Sequence, residues 1–156
     1  MTRIQERIET PASIEAAFDY IADFAHAAEW DPGTTSSRRI DAGEVGPGAR
    51  YALDVRMGGR TAPMEYRITD FERPRRVVLV GEGSGVESVD DIRFERVHGK
   101  TVVDYRADIR LGGFLGLIQP LLGRTFRTIG QGAAAGMERE LAALAARTGR
   151  ADRAAR

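Results

Sequence analysis

Val103-Asp104-Tyr105-Arg106-Ala107-Asp108-Ile109-Arg110-Leu111-Gly112-Gly113 is where this chain changes its period. Up to Leu111, polar and apolar residues alternate, with Val103, Tyr105, Ala107 and Ile109 sharing one face, as in a half-buried strand. Beyond the two glycines, Phe126, Ile129, Ala133, Met137, Leu141 and Leu144 fall mostly three or four apart. That is the broad apolar stripe of a core-facing helix, here predicted to reach about Ala146. Pro120 should interrupt its first turns.

Working back from the switch, period-two runs continue. Val86 to Arg96 carries Val86, Ser88, Asp90, Ile92 and Phe94 on one parity and is joined to the next strand through Val97-His98-Gly99-Lys100. Thr61 to Asp70 places Met64, Tyr66 and Ile68 together, and Ala49 to Met57 does the same for Tyr51, Leu53, Val55 and Met57. Gly58-Gly59 between them is a two-residue hairpin signal, because glycine accepts positive φ. Pro63 donates no ladder hydrogen bond and belongs at a strand start or bulge. Val77 to Val80, a weak polar strand from Thr35 to Asp41 and a charged first strand from Ile4 complete seven runs. Arg38 shares parity with Ile40 and is a candidate inward residue.

Two short helices interrupt the strands early. Pro11-Ala12-Ser13 opens one, with Ile14, Ala17, Phe18 and Ile21 at helical spacing, and a second stretch from Phe24 stops at Trp30-Asp31-Pro32. Consecutive hairpins without interleaved helices make the sheet antiparallel. The expected fold is α+β: a seven-stranded antiparallel sheet wrapped around the long C-terminal helix, with two short helices after the first strand. Residues 1–148 form one domain, and 149–156 a basic, frayed tail. A curved sheet over one helix tends to enclose a cavity, here expected at a few hundred Å³ and opening near Trp30, Gly58-Gly59 and Phe114–Leu117. Glycines 130, 132 and 136 mark either close packing or space kept for a ligand.

The 23 basic and 23 acidic residues cancel, so no overall field recruits nucleic acid or an anionic membrane. With no cysteine there is no disulfide, thiolate metal site, iron–sulfur cluster or cysteine nucleophile. No spacing of metal ligands or phosphate-binding glycines is present, and Gly81 to Gly85 leads into a strand, not a helix. His26 and His98 lie on different elements, unsuited to a shared metal. Phe114 to Leu122 is too short to span a bilayer and the N-terminus is unlike a signal region. The expectation is a cytoplasmic protein without cofactor, metal or integral membrane association, monomeric or homodimeric.

Several motifs resemble the polyketide cyclase/dehydrase-like proteins of the START/Bet v 1-like (SRPBCC) superfamily. They are Thr10-Pro11-Ala12-Ser13, Trp30-Asp31-Pro32, Glu72-Arg73-Pro74-Arg75-Arg76-Val77, Asp91-Ile92-Arg93-Phe94-Glu95, Gly99 to Tyr105, and Leu121-Leu122-Gly123 to Leu144. The resemblance implies a helix-grip fold with a deep pocket between sheet and helix. It also implies a small hydrophobic ligand: a polyketide, lipid or isoprenoid. Two roles follow: cyclisation or dehydration of a bound ketone by positioning and acid–base assistance, or non-catalytic carriage or sensing of a lipid or isoprenoid quinone. Candidate ligand-binding residues are Trp30, Tyr51, Leu53, Val55, Met64, Tyr66, Asp90, Ile92, Phe94, Tyr105, Phe114, Leu117 and Leu121. Asp90 carries the chemistry if it faces inward, since a desolvated carboxylate gains a raised pKa. Trp30 is either a ligand platform or a plug packing the short helix on the sheet. Tyr51, Tyr66 and Tyr105 either orient a ligand or fill the core.

Overall fold

The computed structural model describes residues 1–156. The seven strands are β1 (Thr2–Thr10), β2 (Thr34–Arg39), β3 (Arg50–Met57), β4 (Arg60–Glu72), β5 (Arg76–Gly83), β6 (Val86–Val97) and β7 (Lys100–Leu111). They form one sheet in the order β1-β7-β6-β5-β4-β3-β2. All pairs are antiparallel, so β2 to β7 is a meander and only β1 crosses, to pair with β7. Helices α1 (Ile14–Ala22) and α2 (Ala27–Trp30) follow β1; α3 (Gly113–Ile118) and α4 (Gly123–Ala154) follow β7. This is the architecture expected from the alternation and the final apolar stripe.

Local chemistry sets the helix ends. The Ser13 hydroxyl accepts from the Ala16 N–H at 3.1 Å and caps α1. The Asp31 carboxylate accepts from the Gly33 N–H and the Thr34 hydroxyl, both at 2.8 Å, and so closes the turn after α2. Pro120 falls within a 3₁₀ turn (Gln119–Leu122) that separates α3 from α4. The buried Gln119 amide fixes that turn: it donates to the Ile109 carbonyl at 2.7 Å and the Thr2 hydroxyl at 2.9 Å, and accepts from the Leu111 N–H.

The core lies between the concave sheet face and α1, α2 and α4. Phe18, Ile21, Tyr51, Ile68, Leu79, Ile92, Val103, Met137 and Leu141 are fully enclosed. From the C-terminal helix, Phe126, Ala133, Met137 and Leu141 are buried as the stripe requires, whereas Ile129 is exposed. Gly130 explains the difference: a Cβ there would overlap Ile4, so the helix touches β1 through Gly130, and its neighbour Ile129 is turned outward. A Cβ at Gly136 would likewise overlap the Trp30 carbonyl oxygen. These glycines therefore mark close packing, Gly130 against the Ile4 side chain and Gly136 against the Trp30 backbone, and Gly136 leaves no room for a ligand beside it.

Three further details differ from the sequence reading. The helix does not stop near Ala146 but continues to Ala154, with the segment from Arg150 exposed. Pro63 lies inside β4 without a bulge; β4 pairs with β3 alone there, its pairing with β5 beginning at Glu65. On β2 it is Arg39, not Arg38, that turns inward, its guanidinium lying 5.6 Å from the Tyr51 ring centroid.

Candidate functional site

Two adjacent aspartates on β6 show how the pleat assigns chemistry. Asp91 faces outward and pairs with Arg76 at 3.1 Å and Arg93 at 3.3 Å. Partial burial works against its ionisation, but the two guanidiniums hold its carboxyl below the ordinary value. Asp90 faces inward, 3 % exposed, and meets no cation. Its partners are hydroxyls: Ser88 donates to Oδ1 at 2.6 Å, and Tyr105 donates to Oδ2 at 2.9 Å. Burial pushes the Asp90 carboxyl up to about 6; the two hydroxyls oppose that rise, and the Asp31 and Asp108 charges add to it.

Register brings the tyrosines to this carboxylate. Tyr105 on β7 lies opposite Ile92, and Tyr66 on β4 lies opposite Gly81. A Cβ at position 81 would overlap the Tyr66 ring, so that ring lies flat on the glycine backbone. Burial raises both phenols well above their ordinary value, and the neighbouring Asp90 and Asp31 charges raise them further. Trp30 packs edge-on to Tyr105 with ring centroids 6.1 Å apart, and to Phe24 at 5.9 Å. Its indole N–H is buried and has no protein partner. Asp31, next in the chain, is lifted by burial while Thr34 and the Gly33 N–H oppose the rise. The cluster is thus two carboxyls, two phenols, a serine hydroxyl and one open N–H donor, inside an apolar shell.

Of the candidates named from the sequence, Trp30, Tyr66, Asp90 and Tyr105 come together here. Leu53 and Met64 are buried cross-strand partners and Val55 is half-buried beside them on the same concave face. Tyr51 is enclosed near Phe24 and Arg39, its hydroxyl also without a partner. Ile92 and Phe94 lie in the core toward α1, where Phe94 meets Phe18 edge-on at 5.1 Å. Phe114, Leu117 and Leu121 are elsewhere: they are 74, 78 and 83 % exposed on the outside of α3 and the turn after it. Trp30 is not at a mouth but 2 % exposed within the core. A concavity of about 460 Å³ exists on the outer sheet face, among Arg50, Glu65, Arg67, Val80 and Glu82. The interior side is occupied by the apolar cluster.

Ser88 and Asp31 join the site without being candidates from the sequence. Ser88 was recoverable, since it shares parity with Asp90 two residues on. Asp31 reads as a turn residue, which it is; nothing local announces that its turn abuts β6 and β7. No cluster of three or more ligating side chains that could hold a metal ion is present, and His26 instead stacks on Tyr20 at 4.5 Å.

The packing of Tyr66 on Gly81 is directly testable. Gly81→Ala is expected to cost about 1–3 kcal/mol by overpacking and to displace the Tyr66 ring. Urea unfolding reads the first effect and near-ultraviolet circular dichroism the second.

Residues 1–149 match the family described as polyketide cyclase / dehydrase and lipid transport, and the chain belongs to that family. No curated protein matches it. Among solved structures it is similar to a START superfamily protein from Mycobacterium smegmatis: TM-score 0.72, 15 % identity, covering 91 % of this chain and 98 % of the other. A protein from Thermus thermophilus gives TM-score 0.74 at 17 % identity, with 92 % and 99 % covered. A conserved protein from Geobacillus kaustophilus gives 0.69 at 18 %, with 90 % and 95 % covered. These likenesses establish the START-like helix-grip fold.

Proposed function

We propose that this protein binds a small hydrophobic molecule bearing a carbonyl group against Asp90, Tyr105, Tyr66 and Trp30, and that Asp90 serves as its acid–base group. The observation that carries this is the orientation of Asp90: inward, buried, without a cation, and hydrogen-bonded to Ser88 and Tyr105. A pKa near 6 suits proton transfer close to neutral pH. The unpartnered Trp30 N–H offers a donor for a carbonyl oxygen in which negative charge develops. Family membership supports the ligand class.

An intramolecular aldol cyclisation fits these groups. Ionised Asp90 takes a proton from the carbon beside one carbonyl; the enolate carbon then bonds to a second carbonyl carbon of the same molecule. The oxygen freed by that addition takes the proton back from Asp90. The product is an isomer of the substrate, and no oxidant or cofactor is consumed. Because the core is packed, the ligand must displace side chains to enter. Helix α3, none of whose residues is buried, is the element that can yield.

The test uses an apolar fluorescent probe with displacement by aromatic polyketones. Stoichiometric binding is expected, with Tyr66→Phe altering affinity and Asp90→Asn abolishing ring closure while the probe still binds. Binding without turnover in the parent protein would assign it the carrier role. Absence of any probe or polyketone binding would remove the ligand reading.

A further inference from the structure

We infer that α3 and the turn following it form a docking face for an anionic lipid surface. The chain has five exposed large hydrophobic residues: Met1, Phe114, Leu117, Leu121 and Ile129. Four fall between positions 114 and 129. The fifth is tied to the same end of the molecule, because Thr2 pairs with Ile109 and its hydroxyl accepts from Gln119 at 2.9 Å. Phe114, Leu117 and Leu121 are three and four residues apart, a row along one side of a helical segment. An exposed apolar row gathered at one end of a molecule is a marker of an interaction surface.

Charge identifies the partner. From Ile109 to Met137 the sequence contains no carboxylate, yet it holds Arg110, Arg124 and Arg127. All three are exposed, and none forms an ion pair. Unpaired arginines occur elsewhere too, beside matched ones such as Arg3–Asp108 and Arg50–Glu65; what sets these three apart is a stretch from Ile109 to Met137 without a carboxylate and the exposed apolar row beside them. Glu87, opposite Arg110 in the β6–β7 register, makes no salt bridge with it. A net charge of zero therefore conceals one locally cationic end whose apolar side chains point into solvent. Apolar groups flanked by unpaired arginines suit the boundary between acyl chains and anionic headgroups, giving peripheral and reversible binding. The helix neither spans nor needs to span a bilayer.

Co-sedimentation of the whole protein with vesicles tests this. Binding is expected to phosphatidylcholine vesicles containing phosphatidylglycerol, and to weaken with added salt and on omission of the anionic lipid. Each arginine near the surface contributes about fivefold, so Arg124→Glu with Arg127→Glu should lower partitioning by about 25-fold or more. Leu117→Glu with Leu121→Glu should abolish it. These positions are exposed, so melting temperatures should match the parent; should the leucine pair destabilise, the arginine pair carries the test alone. Parent protein that ignores anionic vesicles, or variants that bind them unchanged, would overturn the inference. So would a concentration-dependent dimer that Leu117→Glu splits, since the face would then be a self-interface. Vesicle binding without apolar-probe binding would leave this face standing and remove the ligand.

Discussion

Met137→Asp is expected to abolish cooperative thermal unfolding, leaving no folded baseline in circular dichroism. Met137 is fully enclosed in α4, within a cluster composed entirely of apolar and aromatic side chains. A carboxylate placed there meets no cation in that cluster, and a buried unpaired charge costs several kcal/mol even when it neutralises. Domains of this size hold a margin of about 5–15 kcal/mol, so one such group takes much of it. Leu141→Asp, one turn further and equally enclosed, should behave alike. Ala142→Asp is the control: its side chain is exposed, and stability should stay within about 0.5 kcal/mol of the parent. A parent-like melting curve for Met137→Asp would take α4 out of the core.

Much of this fold could be read from the chain because its alternation is strict. Once Met64, Tyr66 and Ile68 share a face with Tyr51 and Leu53, a one-residue slip would expose them all, so register follows from burial. Asp90 was legible for the same reason, as the inward member of an Asp-Asp pair. What escaped the sequence depends on contacts between distant segments. Ile129 fits the helical stripe as well as Phe126 does, and only the approach of Gly130 to Ile4 shows that it faces outward. Gln119 looks like a surface residue, yet it is the clasp between β1, β7 and the α3–α4 turn. Gly136 leaves close packing and ligand space both open in the sequence, and only the approach of the Trp30 carbonyl decides for packing. Phe114, Leu117 and Leu121 read as pocket lining because apolar residues are ordinarily inward; a row facing solvent inverts that rule.

Asp90→Asn should stabilise the protein at neutral pH, by an amount that disappears in acid. In the folded chain the Asp90 carboxyl titrates at about 6, against an ordinary value of 3.8. Below the ordinary value both states are protonated, and the group contributes no difference between them. As pH rises toward 6 the unfolded chain releases its proton while the folded chain retains it, so stability falls. Above 6 the full cost of ionising a buried carboxylate is present, about 3 kcal/mol at about 1.4 kcal/mol for each tenfold in the equilibrium. The Asp90→Asn side chain carries no such charge, so the gap between variant and parent should widen through the interval from about pH 4 to about pH 7. The Asp90→Asn amide, which cannot accept from both Ser88 and Tyr105, loses one neutral hydrogen bond and so offsets about 1 kcal/mol of it. For a chain of this length the remainder raises the melting temperature by about 4–8 °C at about pH 8 and by little at about pH 4. Asp31, also lifted by burial, slopes the same way in both proteins, and only its repulsion of the Asp90 charge is lost in the variant. A stability gain at neutral pH joined to lost ring closure would mark Asp90 as a residue kept at the expense of the fold, as groups with a chemical duty are. Parallel pH profiles for parent and variant would show that Asp90 is ionised as easily folded as unfolded, and that its hydroxyl cage compensates burial in full.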